Sequence, residues 1–174
     1  MAKAIILDRD GTVNIEKNYL YRPADFEFIP GAEEAIYRMK KMNFKIIIIT
    51  NQSGIGRGYY TESDLRTLHC YINKKLHNAN IDAFYYCPHH PQDDCDCRKP
   101  KTKLFEKAIK DFSIDVGASW AVGDRIRDIS PGKTLGLNTA LVLTGYGKEE
   151  DRQEGLITVN CINSFADMME NMKI

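Results

Sequence analysis

Short runs of apolar residues recur along the chain, and each is followed by polar or turn-forming residues. Several runs, such as the four isoleucines at positions 46–49, are continuously apolar. Continuous rather than alternating runs are typical of strands that are covered on both faces of a parallel sheet. The pattern predicts strands at residues 4–7, 45–50, 83–86, 120–122, 139–143 and 157–159.

Helical periodicity fills the segments between these runs. It predicts helices over residues 31–42, 61–78 and 103–112, a short helix ending near Leu135, and a helix over 164–172 that Ser164 caps. Thr61 and Asp64 form the sequence pattern of a capping box at the start of the second helix. Alternating strands and helices predict an α/β fold with a doubly wound, mainly parallel, Rossmann-like sheet, in which ligands bind beyond the carboxyl ends of the strands.

Composition narrows the class of protein. The 174 residues suit one domain spanning positions 1–174. Lys and Arg together number 24, as do Asp and Glu, so a general nucleic-acid binder is disfavoured. No apolar run approaches a membrane span, and Asp8 interrupts the apolar N-terminus too early for a signal peptide. We expect a cytoplasmic monomer that acts on a small molecule, with no membrane partner.

Polar residues stand directly after three of the predicted strands. The first strand runs into Asp8 and Asp10, the second into Thr50 and the fourth into Asp124. Carboxylates this close repel one another unless a cation or shared proton compensates, and Mg²⁺ takes oxygen ligands. Asp124 could complete such a site or cap the next helix, and an Asx turn is the alternative at Asp8. Thr50 and the N–H groups after it could cradle a phosphate, or form a plain polar loop.

A cluster of cysteine and histidine lies in the loop at residues 87–97. Thiolate and imidazole are the usual ligands of tetrahedral Zn²⁺, and Cys87, His89, Cys95 and Cys97 make a complete set. His90 could replace His89. A closed shell of four protein ligands leaves no open position, so the predicted zinc site is structural. Free cysteines in a polar loop are the alternative interpretation.

With Asp8-x-Asp10-x-Thr12, Thr50, Lys99 and Gly123-Asp124-x-x-x-Asp128 in this order, the chain resembles the haloacid dehalogenase (HAD) superfamily of phosphohydrolases. The resemblance extends over nearly the whole chain. It implies the HAD variant of the predicted fold, with no large cap domain. It also implies that Asp8 is the nucleophile that forms an aspartyl phosphate, and that Asp10 is first the general acid and then the general base.

The resemblance further implies which residues hold the ligands. Mg²⁺ would be bound by the Asp8 carboxylate, the backbone carbonyl of Asp10 and Asp124. Thr50 and Lys99 would hold the transferring phosphoryl group. At the zinc loop the resemblance favours His89 over His90.

Within the superfamily, the motifs look like those of phosphatases of heptose bisphosphates. The implied reaction removes the 7-phosphate of D-glycero-D-manno-heptose 1,7-bisphosphate in nucleotide-activated heptose synthesis. Arg98 would recognise the second phosphate, and the other implied substrate residues are Tyr19, Asn51, Gln52, Ser53 and Arg125. Two places depart from the family pattern: Arg125 stands where Lys is frequent, and the loop at 14–19 keeps Tyr19 without the usual His-Gly.

The sequence is also compatible, to a lesser degree, with three other functions. Histidinol-phosphate phosphatases share the zinc loop and the first motif, but tend to carry Asp where this chain has Ser53. A receiver domain of a signalling pathway also places Asp, Thr and Lys at strand ends, although its acceptor Asp lies well inside the chain and no zinc loop accompanies it. A catalytically inactive scaffold is disfavoured because every catalytic position is filled.

Overall fold

The protein is described here by a computed structural model that covers residues 1–77, 79–151 and 155–172. Six strands form one all-parallel sheet in the order β3-β2-β1-β4-β5-β6. They are β1 (Ala4–Leu7), β2 (Lys45–Asn51), β3 (Ala83–Cys87), β4 (Trp120–Gly123), β5 (Asn138–Val142) and β6 (Thr158–Val159). The predicted doubly wound α/β sheet is confirmed, and each strand end lies within one residue of its predicted position.

Within the described residues, six α-helices connect or follow the strands. They are α1 (Ala32–Lys41), α2 (Glu62–Lys75), α3 (Lys103–Phe112), α4 (Ile126–Thr134), α5 (Gly147–Glu150) and α6 (Ile162–Asn171). Thr61 caps α2 in a capping box with Asp64, as its sequence predicts. The last residue of the predicted helix 61–78 lies outside the described residues. None of the described helices has both the length and the apolar character needed to cross a membrane.

The prediction that Ser164 caps the last helix is wrong. The cap residue is Cys161, and α6 begins at Ile162, so Ser164 lies in its first turn. The reason is burial: Ile162 and Phe165 both pack into the core, and the helix must start early enough to carry both. The four-residue helix α5 is too short to give a periodic signal and was not predicted.

Two hydrophobic layers sandwich the sheet, which explains the continuous apolar runs. Alternate residues of one strand point to opposite faces. Ile46 and Ile48 belong to the layer that α1, α2 and α6 cover, whereas Ile47 and Ile49 belong to the layer that α3 covers. Each isoleucine is therefore buried whichever face it occupies.

The position of β1 determines where the site can form. β1 lies between β2 and β4, and Leu7 pairs with Ile48 on one side and Val122 on the other. The order of strands reverses at β1, which in a doubly wound sheet opens a crevice at the carboxyl ends. Between β1 and α1 the described chain adds a single 3₁₀ turn, Pro23–Asp25, and no large cap domain.

Candidate active site

Three carboxylates meet at the carboxyl ends of β1 and β4. One oxygen from each of Asp8, Asp124 and Asp128 lies within 4.8 Å of the others. Lys99 is 2% exposed. Its ammonium is 2.7 Å from Asp8 Oδ1 and 2.8 Å from Asp128 Oδ1, and it donates to the Ile49 carbonyl at 2.6 Å. Burial by itself lowers the pKa of Lys99, but the Asp128 and Asp8 carboxylates outweigh burial and raise it, so the ammonium stays charged.

The negative charge of the three carboxylates exceeds the positive charge that Lys99 supplies. Burial raises the pKa of Asp8 to about 7 against the opposing effect of Lys99, and Asp128 and Asp10 raise it further. Burial likewise raises the pKa of Asp124 to about 8, with Asp8 and Asp128 adding to the shift. Three oxygen donors at this spacing, short of positive charge, fit a hard divalent cation such as Mg²⁺.

Two glycines make room for Asp124. A Cβ on either Gly11 or Gly145 would overlap Asp124 Oδ2. Both glycines also have positive φ, at +83° and +55°, which glycine adopts without strain. The backbone N–H of Tyr146 donates to Asp124 Oδ2 at 2.9 Å. The carboxylate is thus enclosed by backbone that only glycine permits to approach so closely.

Asp10 has different surroundings from Asp8. Arg9 Nη2 donates to both of its oxygens at 2.9 Å, and Arg9 Nε donates to Oδ1 at 3.2 Å. Asn14 Nδ2 reaches Oδ1 at 3.0 Å and Gln52 Nε2 reaches Oδ2 at 3.0 Å. Arg9 itself is 1% exposed and also donates to the Leu20 carbonyl at 2.9 Å. Protein donors therefore fix both oxygens of Asp10.

The end of β2 supplies the residues beside the two aspartates. Thr50 is buried, and its hydroxyl accepts from Gln52 Nε2 at 2.8 Å. Asn51 binds the backbone of Lys99 in both directions: Lys99 N donates to Asn51 Oδ1 at 3.0 Å, and Asn51 Nδ2 donates to the Lys99 carbonyl at 3.2 Å. This two-way contact attaches the segment that carries Lys99 to the strand end.

Two adjoining clefts open over these groups. The inner cleft lies over Asp8, Asp10, Thr50, Asp124 and Asp128. The outer one, about 170 Å³, is lined by the predicted substrate residues Tyr19, Asn51, Gln52, Ser53 and Arg125. Arg125, which also reaches the inner cleft, lies with its guanidinium carbon 3.5 Å from the centre of the Tyr146 ring. Arg98 lines neither cleft.

The zinc-loop residues converge as their spacing predicts. Cys87 Sγ lies 3.4 Å from Cys95 Sγ, His89 Nδ1 lies 3.2 Å from Cys97 Sγ, and the sulfurs of Cys95 and Cys97 are 3.7 Å apart. All four ligand atoms lie within 4.8 Å of one another. His90 points elsewhere, since its Nδ1 accepts from the Gln92 N–H at 3.2 Å. Three thiols and one imidazole at this spacing fit tetrahedral Zn²⁺, with His89 as the fourth ligand.

Comparison with known proteins identifies the family. The Hydrolase-like family, described as HAD-hydrolase-like, matches residues 96–168. The chain is 40% identical over 182 aligned positions to the D-glycero-β-D-manno-heptose-1,7-bisphosphate 7-phosphatase of Pasteurella multocida, covering 99% of this chain and 98% of the relative. The chain belongs to the heptose bisphosphate phosphatase family of HAD-like hydrolases. A probable heptose bisphosphate phosphatase from Thermoplasma volcanium is 46% identical over 71% of this chain and 86% of its own length.

A solved structure within this family is closely similar. The D,D-heptose 1,7-bisphosphate phosphatase of B. bronchiseptica, complexed with magnesium and phosphate, superposes with a TM-score of 0.91 at 30% identity. The superposition covers 98% of this chain and 99% of that one. The HAD resemblance drawn from the strand-end motifs is confirmed.

Several residues of this heptose bisphosphate phosphatase family member were missed at the sequence level. Asp128 appeared in the motif without a role, yet it pairs with Lys99 and accepts from the Arg125 N–H at 3.1 Å. Its position three residues after Arg125 was the available signal, because an acidic residue at that position of the first helical turn turns back to the helix start. Arg9 and Asn14, which hold Asp10, gave no signal beyond their closeness in sequence.

Proposed function

We propose that the protein hydrolyses the 7-phosphate of D-glycero-D-manno-heptose 1,7-bisphosphate, with Asp8 as the nucleophile. The observation that carries this proposal is the position of Asp8: it follows the central strand, opens into the inner cleft and lies 2.7 Å from the Lys99 ammonium. The name of the Pasteurella multocida relative supports the choice of substrate.

Asp8, the backbone carbonyl of Asp10 and Asp124 would hold Mg²⁺, and Asp128 lies in the same cluster of oxygens. The magnesium and phosphate in the B. bronchiseptica structure support this assignment. Bound Mg²⁺ supplies positive charge that offsets the buried carboxylates and the phosphoryl oxygens. Cys87, His89, Cys95 and Cys97 would hold a structural Zn²⁺ that stabilises the loop.

The first chemical step transfers the phosphoryl group to the enzyme. An oxygen of the ionised Asp8 attacks phosphorus, and the bond from phosphorus to the sugar oxygen breaks. Asp10 gives its proton to that oxygen as it leaves, which matters because an alkoxide is a poor leaving group. The Lys99 ammonium and the Thr50 hydroxyl hold the transferring oxygens and stabilise their charge.

The second step returns the enzyme to its starting state. Asp10, now ionised, takes a proton from a water molecule, whose oxygen attacks the phosphorus of the aspartyl phosphate. The bond from phosphorus to Asp8 breaks and inorganic phosphate leaves. A carboxylate nucleophile thus divides one very slow hydrolysis into two easier steps.

The outer cleft would take the remainder of the sugar. Arg125 and Arg127 line both clefts, so two guanidinium groups stand within reach of a second phosphate. Tyr19, Asn51 and Ser53 would face the sugar, and Gln52 lines the same cleft with its amide bound to other residues of the protein. Arg98 stays a predicted contact to the second phosphate, although it lies outside both linings.

Phosphate release tests this proposal directly. With Mg²⁺ present, heptose 1,7-bisphosphate and histidinol phosphate are assayed side by side. We expect kcat/KM to favour the heptose by at least about 100-fold, because a site built to bind the polar groups of one substrate rejects a compound without them at least that strongly. The reverse preference would overturn the substrate and keep the mechanism. A stable phospho-protein without turnover would instead indicate a receiver domain.

We further propose that residues 1–174 act as one domain and as a monomer in the cytoplasm. Both hydrophobic layers pack on a single sheet, and all five cysteines are free, which suits a reducing compartment. Size-exclusion chromatography with light scattering tests the monomer, for which we expect 19.9 kDa. A mass of twice that value would contradict it.

A further inference from the structure

The side chain of Gln52 connects the two halves of the site. Its Nε2 donates to Asp10 Oδ2 at 3.0 Å and to Thr50 Oγ1 at 2.8 Å. Its Oε1 accepts from the Tyr60 hydroxyl at 2.5 Å and, in a long contact of 3.4 Å, from Arg9 Nη2. Gln52 is buried at 3% exposure. Its amide is therefore already engaged by the protein, which suits a structural link better than a contact to the sugar.

Tyr60 is held so that its hydroxyl has a defined position. Its ring stacks on Tyr21 with centroids 5.0 Å apart, and it packs so closely on Gly54 that a Cβ there would overlap the ring. The residue is 6% exposed. Burial is the main cause that raises the pKa of Tyr60, to about 12, so the hydroxyl remains a donor at any working pH.

We propose that Tyr60 is a positioning residue that acts through Gln52 to fix the carboxyl group of Asp10. This inference rests on the proposed function, because it requires Asp10 to transfer a proton. Tyr60 itself need not touch the reacting atoms.

The physical reason is that the two ends of a side-chain amide differ in hydrogen bonding. The oxygen and nitrogen of Gln have nearly the same shape but opposite hydrogen-bonding character. Only one orientation presents Nε2 to Oδ2 of Asp10, and the reversed one would direct a carbonyl oxygen at that oxygen. The Tyr60 hydroxyl favours the productive orientation because its O–H donates to Oε1, whereas the reversed amide would present an N–H donor to that O–H. The contact from Arg9 is too long to do this alone.

Tyr60→Phe tests the proposal, since it removes the hydroxyl and keeps the ring. The readout is kcat/KM, which reports the steps up to release of the alcohol, for two leaving groups. Heptose 1,7-bisphosphate releases an alkoxide that needs a proton, whereas 4-nitrophenyl phosphate releases a stable phenolate that does not. We expect kcat/KM to fall about tenfold for the alkyl substrate and less than about twofold for the aryl one.

Tyr21→Phe is the matched control. It removes a neighbouring hydroxyl, which accepts from Arg22 Nε at 3.0 Å, and keeps the stacked ring. We expect it to leave both kcat/KM values unchanged. Equal losses on the two substrates in Tyr60→Phe, or no loss on either, would overturn the proposal. A selective loss on the alkyl substrate supports it.

Gln52→Leu guards against a folding defect in Tyr60→Phe. Gln52→Leu interrupts the same chain of hydrogen bonds between Tyr60 and Asp10, so we expect the same selective loss of kcat/KM for the alkyl substrate. The double variant should lose no more kcat/KM than Gln52→Leu alone. Additive losses would overturn the proposal. Asp10→Asn distinguishes a failure of this inference from a failure of the proposed function. If that variant shows a selective loss and Tyr60→Phe does not, the inference alone fails. If Asp10→Asn shows none, the assignment of Asp10 fails and the inference with it.

Discussion

Asp8 and Asp10 lie two residues apart at the end of β1, but their surroundings differ. Asp8 shares the Lys99 ammonium with Asp128 and lies close to the buried Asp124. Asp10 instead accepts hydrogen bonds from Arg9, Asn14 and Gln52. The first carboxylate is left short of positive charge, which a cation can supply. The second is oriented by the protein itself. The proposed nucleophile needs positive charge nearby, and the proposed acid needs a fixed orientation. The two residues are close in sequence, but the protein gives each the surroundings that its role requires.

Asp8→Asn tests the first of these two carboxylates, and it has the largest expected effect on activity. It removes the attacking oxygen at nearly constant volume, so we expect phosphate release to fall by at least about 10³-fold. A circular dichroism spectrum and melting curve like those of the unaltered protein would show that the fold is intact. More than a trace of residual turnover would contradict the assignment of Asp8.

Asp10→Asn tests the second carboxylate, the proposed general acid. We expect kcat/KM for the alkyl substrate to fall by about 10²-fold, because a positioned acid contributes that much, with a smaller fall for 4-nitrophenyl phosphate. The ratio of the two losses is the informative quantity. A loss that does not depend on the leaving group would mean that Asp10 has no role in protonating the alkoxide.

Cys95→Ser should destabilise the loop that precedes Lys99 without changing the surroundings of Asp8 and Asp10. Removing one of four ligands lowers metal affinity, and metal binding is coupled to folding. We expect bound zinc, measured by elemental analysis, and the melting temperature to fall together. The ratio of alkyl to aryl kcat/KM should not change. Full stability in a protein that never contained zinc would rule out the metal site.

The smallest expected effect concerns stability and pH. The pKa values of Asp8 and Asp124 are raised above the ordinary value of 3.8, to about 7 and about 8, when no metal is bound. The folded state then binds more protons than the unfolded state between about pH 4 and 8, so the free energy of unfolding falls as pH rises through that window.

Bound Mg²⁺ should offset this loss, and the increase in melting temperature on adding Mg²⁺ should be larger at pH 8 than at pH 5. Asp124→Asn removes one of the two groups and should flatten the pH dependence of the metal-free protein. A melting temperature without Mg²⁺ that does not change between pH 5 and 8 would show that the cluster is already compensated.

The sequence was most informative where a local pattern reports burial or ligand chemistry. Four isoleucines in a row indicate a strand covered on both faces, and the spacing from Cys87 to Cys97 is sufficient to indicate a metal site. The carboxylates after β1 and β4 were expected to meet because parallel strands end at one edge. Direct contact also requires β1 and β4 to be neighbours, which the order of strands in the structure provides.

Pairings between distant residues could not be predicted in the same way. The pair of Lys99 with Asp128 depends on the order of strands, and hydrophobic periodicity does not determine that order. The link from Tyr60 through Gln52 to Asp10 depends on the rotation of a single amide. The start of α6 was misjudged because a favourable cap at Ser164 competes with the burial of Ile162, and burial prevails.

The chemistry described above occupies the carboxyl edge of the sheet, and this leaves the opposite edge free for engineering. There, the turn between α3 and β4 is exposed at Gly117, and the N-terminal segment pairs alongside it, with Ala2 bridging Ile114. Exposed turns tolerate inserted residues better than buried backbone does. A linker or reporter placed at this turn would tether the protein to a surface with its cleft facing outward.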